Sequence, residues 1–273
     1  MQCLAPIQVK NPNLDMRGQN LYVSVPCSKC VACRRRRASH WSFRLNEELK
    51  VSSSCRFITL TYATPPITEN GYPTLRKKDL QDFFKRLRHK TTNKLKYYAV
   101  GEYGTKTHRP HYHAIVFNLP QKLLQNPSTI EDCWSSGFIT CTPSTPKRIN
   151  YVVGYITKNA FTSFGETDDR VKEYSTMSKK LGINYLTPEM IRFYKTRKIG
   201  AIIKQNGEYM SMPRYYKEKI YEPNEIKEIA NEWREINDKT FEELLNTGKT
   251  QIEIYKYINY LDKNRKKLKR QLI

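Results

Sequence analysis

Two histidines separated by one residue, His111-Tyr112-His113, precede an apolar and β-branched run from Ala114 to Phe117. In a strand, residues i and i+2 point to the same face, so both imidazoles meet one small target. The run that follows favours a buried strand, and Pro110 occupies a tolerated strand start. Glu102 closes a second apolar run, Tyr97-Tyr98-Ala99-Val100. If the two runs pair antiparallel, Glu102 reaches the histidines. Two imidazoles and a carboxylate make a mixed nitrogen and oxygen site for a divalent ion. Water and phosphate oxygens suit Mg²⁺ or Mn²⁺; the imidazoles tilt the affinity toward Mn²⁺, while Mg²⁺ is the more abundant. His108 lies in the connection between the runs and reads as a surface neighbour.

A second group is Tyr151-Val-Val-Gly-Tyr155-Ile-Thr-Lys158, inside a helix predicted over about 147–160. Tyr151 and Tyr155 are i, i+4 and share a face, with Lys158 nearby. Such a face can carry a phenol nucleophile or pack its rings and expose its hydroxyls. A third group is Cys3 with Cys27, Cys30 and Cys33 in C-x-x-C-x-x-C spacing. Seven cysteines, an odd number, argue against a disulfide framework, and the tight spacing reads as metal binding. Four-coordinate structural zinc leads, with an iron–sulfur cluster and free thiols as alternatives. Arg34, Arg35, Arg36 and Arg37 follow at once. Four consecutive arginines spread around any helix, so they form a phosphate-contacting edge or a solvated face.

These groups need elements to hold them. Ala38 to Lys50 predicts a helix with Trp41, Leu45 and Leu49 on one face, and Phe57 to Tyr62 predicts an alternating strand. Leu75 to His89 predicts a helix through Leu80, Phe83, Phe84 and Leu87, with a basic opposite face. Strands over 95–102 and 111–117, a short helix near 129–134 and a strand near 138–142 complete a β-α-β-β-α-β order. That order predicts an antiparallel sheet covered by helices on one face. Beyond residue 165 the pattern predicts a polar loop over 165–170, a helix over 186–198, a hairpin over 201–212 turning at Asn206-Gly207, and helices over 223–246 and 250–269 ending in a basic tail.

The chain has 273 residues and a formal charge of +22, from 48 Lys+Arg against 26 Asp+Glu. That imbalance implies a polyanionic partner, nucleic acid before an anionic membrane surface. The 19 tyrosines among the cations suit stacking on unpaired bases. No run is long enough to span a membrane and the N-terminus carries no apolar signal region, so a cytoplasmic protein is expected. Gly248-Lys249-Thr250 looks like the end of a phosphate-binding loop, but Glu243 stands where its first glycine belongs, so nothing supports an NTP-driven motor.

The strand over 57–62, the His111-Tyr112-His113 pair and the Tyr151-x-x-x-Tyr155-x-x-Lys158 helix stand in the order and spacing of the HUH endonucleases that initiate rolling-circle replication. Cys3, Pro26-Cys27-Ser-Lys-Cys30-Val-Ala-Cys33-Arg34, Gly101-Glu-Tyr-Gly104 and Arg109-Pro-His-Tyr-His113 resemble the gokushovirus group of microvirus replication initiators. The resemblance covers roughly residues 1–160. It implies an α+β HUH fold with a ferredoxin/RRM-like sheet over 38–165, a Cys- and Arg-rich segment over 1–37 and a mainly helical basic region over 166–273. It implies a metal-dependent enzyme that nicks and joins single-stranded DNA at a phage origin through a 5′-phosphotyrosine. Tyr155 would lead as nucleophile, carrying the Tyr-x-x-Lys pattern, and Tyr151 would be the second. Lys158 would orient the phosphate or a metal-bound water. A host helicase and polymerase are the expected partners. Gly154 departs from a regular helix at a cost of about 1 kcal/mol against alanine. A plasmid relaxase or transposase of the same superfamily, and a non-catalytic nucleic-acid-binding protein on a ferredoxin-like sheet, are the rival readings.

Overall fold

β-branched and aromatic runs in the middle of the chain pair into one sheet. The computed structural model describes residues 3, 5–11, 21–104, 107–126, 128–154, 165–203, 209–232 and 246. In chain order the elements are β1 (Ile7–Lys10), β2 (Tyr22–Val25), α1 (Val31–Val51), β3 (Cys55–Tyr62), α2 (Lys77–His89), β4 (Lys96–Tyr103), β5 (Pro110–Phe117), α3 (Gln121–Gln125), α4 (Ser128–Glu131), β6 (Gly137–Pro143), α5 (Pro146–Gly154), β7 (Tyr174–Met177), a 3₁₀ turn (Ile183–Tyr185), α6 (Pro188–Arg197), β8 (Ala201–Ile203), β9 (Tyr209–Ser211) and α7 (Arg214–Ile220). Residues 223–232 are also helical. The chain divides into two compact units, Arg34–Thr187 and Met1–Cys33 with Pro188–Ile273.

In the central unit the sheet order is β6-β3-β5-β4-β7, every neighbouring pair antiparallel. The first four strands have the order that a β-α-β-β-α-β chain produces. The α2 crossover carries β3 to β4 one strand apart, β5 returns by a hairpin between them, and β6 closes the far side. The α+β fold with its antiparallel ferredoxin-like sheet is therefore as expected. β7 is an addition that the sequence did not signal: Tyr-Ser-Thr-Met has no apolar run and becomes a strand by pairing along the free edge of β4.

Helices cover both faces of the sheet, which corrects the expectation of one. Ile58, Leu60, Tyr62, Tyr112, Ala114 and Val116 pack on Leu80, Phe83, Phe84 and Leu87 of α2. On the opposite face Tyr98, Val100, Ile115 and Phe117 pack on Leu45 of α1 and on Ile149, Val152 and Val153 of α5. The physical reason is legible in β4 and β5, whose unbroken apolar runs bury alternate residues on opposite sides. Each such side chain contributes roughly 1.5–3 kcal/mol relative to exposure.

α1 begins earlier than the predicted Ala38, so Cys33 and the four arginines lie on its first turns. Arginine is a good helix former, and the segment that reads as irregular is in part helix. In the other unit β1 and β2 form an antiparallel hairpin, as do β8 and β9 with Ile202 opposite Met210. The Asn206-Gly207 turn, the helix of 147–160 after Gly154, residues 233–245 of the last-but-one helix and the whole of 250–269 with its basic tail lie outside the described residues.

The start of β6 depends on a missing side chain. Gly137 has φ +154°, and a Cβ there would lie 2.2 Å from the Ala63 nitrogen and 2.3 Å from the Thr61 oxygen. Gly137→Ala is expected to destabilise the protein by about 2–3 kcal/mol. The measurement is a lower urea midpoint at unchanged slope; an unchanged midpoint would mean that β6 can move away from β3.

Candidate active site

Strand register brings the predicted ligands together. Glu102 on β4 stands directly opposite His111 on β5, and Thr59 on β3 stands opposite His113. Directly opposed residues share a face, so all four meet on the side of the sheet that carries α1 and α5. Glu102 Oε1 lies 2.7 Å from His111 Nε2 and 3.3 Å from His113 Nε2. The three prospective ligand atoms lie within 4.8 Å of one another.

The far side of each ring is also held. His111 Nδ1 lies 3.0 Å from the Arg109 carbonyl and His113 Nδ1 lies 3.0 Å from Thr59 Oγ1. A carbonyl can only accept, so His111 carries its proton on Nδ1 and offers Nε2 inward. Ring nitrogens anchored in this way are the usual support of metal-binding histidines. Burial works to raise the carboxyl pKa of Glu102, but hydrogen bonds from His111 and then His113 outweigh it and hold the group below its ordinary value. An ionised carboxylate under two inward-facing imidazoles fits a divalent cation.

Tyr112, between the histidines, points to the opposite face and is fully buried. Its hydroxyl donates to the Arg76 carbonyl at 2.9 Å, accepts from the Arg76 N–H at 2.9 Å and lies 2.8 Å from the hydroxyl of Tyr62, which donates to Asp79 at 2.9 Å. This anchor opposes register slip, since a shift of one residue would turn both histidines into the core. Arg109 ties the start of β5 to the end of β3 by donating to the carbonyls of Tyr62 and Ala63.

Tyr151, on α5, is 54% exposed. Its ring meets those of His113 and Phe57 edge-on at 6.3 Å in each case, while Phe57 stacks on His113 at 5.4 Å. Tyr155 and Lys158 lie outside the described residues. Of the four arginines, Arg37 donates from Nη2 to Ser175 Oγ at 3.2 Å. Ser175 pairs with Val100, which pairs with His113, so Arg37 borders the histidine row. Sequence reasoning missed Thr59, Phe57 and the Arg109 carbonyl as supports. The alternation Phe57-x-Thr59-x-Thr61 was the signal, because it put two hydroxyls on one strand face.

The cysteines form a separate cluster. Cys3 Sγ lies 3.5 Å from Cys27 Sγ and 3.9 Å from Cys30 Sγ, and all four sulfurs lie within 4.8 Å of one another. Four thiolates bound at about 2.3 Å in a tetrahedron are about 3.8 Å apart, so the spacing fits zinc. The N–H of Cys27 donates to Cys3 Sγ and that of Cys30 to Cys27 Sγ, each at 3.3 Å. The Cys30 N–H, then that of Lys29, holds the Cys27 thiol below its ordinary pKa, which favours the ligating thiolate. Cys55, remote from the cluster, is pushed up to about 11 by burial and stays a thiol.

A family profile described as Replication-associated protein, ORF2 type, matches residues 55–160. Replication-associated protein ORF2 of Spiroplasma virus 4 is 30% identical over 253 residues, covering 79% of this chain and 79% of that protein. This chain belongs to the replication-associated proteins of that family. Replication-associated protein VP4 of Bdellovibrio phage phiMH2K is 28% identical over 251 residues, covering 80% of this chain and 76% of its own. Replication-associated protein ORF4 of Chlamydia phage 1 is 26% identical over 217 residues, covering 71% of this chain and 53% of its own. No solved structure matches. In this replication-associated protein the matched span runs from β3 past α5, and so includes Thr59, Glu102, His111, His113 and Tyr151. The expected likeness to microvirus initiators is thus borne out. Among the described residues no helix is long and apolar enough to cross a membrane.

Proposed function

We propose that this replication-associated protein nicks and joins single-stranded DNA at a phage origin, initiating and terminating rolling-circle replication through a 5′-phosphotyrosine. The observation that carries the reading is the Tyr151 ring seated against His113, beside a buried carboxylate that both histidines address. A phenol, with an ordinary pKa of about 10, can act as nucleophile and hold a covalent intermediate. In the first cut the phenol oxygen of Tyr155 attacks the scissile phosphorus. The bond to the 3′ oxygen breaks, the phenol gives up its proton, and the departing strand leaves as a 3′-hydroxyl. Tyr151 is the second nucleophile and cuts the regenerated origin after one round of synthesis. The freed 3′-hydroxyl then attacks the first phosphotyrosine and closes the circle. Lys158 orients the scissile phosphate.

Glu102, His111 and His113 hold Mg²⁺ or Mn²⁺, which when bound neutralises charge on the scissile phosphate. The Arg109 carbonyl and Thr59 keep the two rings turned inward, and α5 presents Tyr151 at the same face. Arg34 to Arg37 bind the phosphate backbone, in keeping with a net charge of +22 and with binding that weakens as salt rises. Unwinding and synthesis fall to a host helicase and polymerase, and the work takes place in the bacterial cytoplasm.

The test incubates the protein with a labelled pool of single-stranded DNA and Mn²⁺ or Mg²⁺ and resolves it on a denaturing gel. The wild type is expected to form a metal-dependent adduct. Tyr151→Phe and Tyr155→Phe should each remove one class of product, and the double variant should form none. A pool that is bound without any adduct would instead favour a non-catalytic binding module.

A further inference from the structure

We infer that Phe138 is a stacking platform for the base that adjoins the phosphate being cut. The inference rests on the single-stranded DNA reading above and adds to it a residue outside the ligand and tyrosine set. Phe138 is 67% exposed on β6, the edge strand beside β3. Its neighbours Ile139 and Cys141 turn the other way, against the core under α2. The register places it in one row across four strands: Phe138 opposite Thr61, Thr61 opposite His111, His111 opposite Glu102. Directly opposed residues share a face, so the ring stands on the same side of the sheet as the prospective metal ligands. Two interstrand spacings separate it from His111, about 10 Å.

A single exposed aromatic is ordinary on a protein surface. This one differs in its setting. The positions beside it on that face of β6 are Thr140 and Thr142, small and polar, so the ring stands above its neighbours. Arg148 lies on the same edge, donating to Thr142 Oγ1 and, at 2.6 Å, to the Pro143 carbonyl, with its guanidinium 6.0 Å from the Phe57 ring. Gly137 allows the strand to lie against Ala63 and fixes where the next residue stands. A flat apolar face flanked by a cation and continuous with a phosphate-cutting site matches an unpaired nucleotide, whose base stacks while its phosphate meets the charge.

The experiment measures binding of two fluorescein-labelled 20-mers by anisotropy: oligodeoxythymidine and an abasic backbone of equal length. Phe138→Ala is expected to weaken oligodeoxythymidine binding by roughly 5- to 150-fold and to leave the abasic 20-mer unaffected. Phe138→Trp should retain binding, and Phe138→Leu should behave like Phe138→Ala. Equal losses on both 20-mers, no loss on either, or no binding of oligodeoxythymidine by wild type would overturn the inference. So would a fall in mass from dimer to monomer in Phe138→Ala by light scattering, which would assign the ring to a second copy of the chain. The wild-type adduct assay is read separately. A base-dependent loss without any adduct would retire the nicking mechanism and keep the platform, whereas an adduct without a base-dependent loss would retire the platform alone.

Discussion

His111→Ala is expected to lower metal-dependent adduct formation by at least about a thousandfold. The substitution removes one of three ligand atoms that lie within 4.8 Å of one another. It leaves Glu102 buried with a single imidazole at 3.3 Å. Mn²⁺ affinity, measured by calorimetry on the free protein, should fall at least about 100-fold, more than is usual for loss of a supporting group alone. Thr59→Val is expected to show the weaker effect of a supporting group, about 10- to 100-fold in affinity, because it frees the outer nitrogen of His113 without removing a ligand. His108→Ala serves as the control: the residue lies in the β4–β5 connection, outside the ligand set, and should leave Mn²⁺ binding as it is. Undiminished Mn²⁺ binding in His111→Ala, or an adduct that persists in chelator, would dissociate the histidine pair from the reaction.

Cys30→Ser is expected to abolish stoichiometric zinc and to unfold the segment that the four sulfurs gather. Cys3 is separated from Cys27 by 23 intervening residues, including the β1–β2 hairpin. Short apolar strands of four residues each carry little core of their own. A structural zinc is worth about 10–16 kcal/mol in small finger peptides at neutral pH, far more than any single packing contact here. Elemental analysis of the wild type should find one zinc per chain and the variant none, with loss of the lower-temperature unfolding transition. Chelator should produce the same loss in the wild type. Iron with visible absorbance would instead identify a cluster of iron and sulfur, and a wild type without metal would leave four thiols. Cys55→Ser, remote from the cluster, separates this effect from the general sensitivity of a buried thiol.

Much of the catalytic face was legible because its determinants are local. The i, i+2 spacing of His111 and His113 determines that they share a face wherever a strand forms, and the flanking apolar run makes the strand. Glu102 could be placed because only an antiparallel hairpin joins two strands across so short a connection. The same logic carried the β-α-β-β-α-β order and α2 with its four buried apolar residues. The charge of +22 pointed to a polyanion without reference to any fold.

Other features depend on partners distant in sequence. Tyr174–Met177 became a strand because β4 presented an unpaired edge, not because of its own residues. The second helical layer arose because β4 and β5 are apolar on both sides, so the face bearing the histidines also needed cover, which α1 and α5 supply. Thr59 and the Arg109 carbonyl became ring supports only when register set them opposite or beside the imidazoles. Phe138 shows the division most plainly. In sequence it is one aromatic at a strand start, indistinguishable from a core residue. Its exposure and its place in the row with Thr61, His111 and Glu102 exist only once β6 pairs with β3, because strand pairing joins residues through backbone hydrogen bonds that carry no side-chain code. Residue types and short spacings thus determined which chemistry is present, and tertiary pairing decided where that chemistry meets its supports.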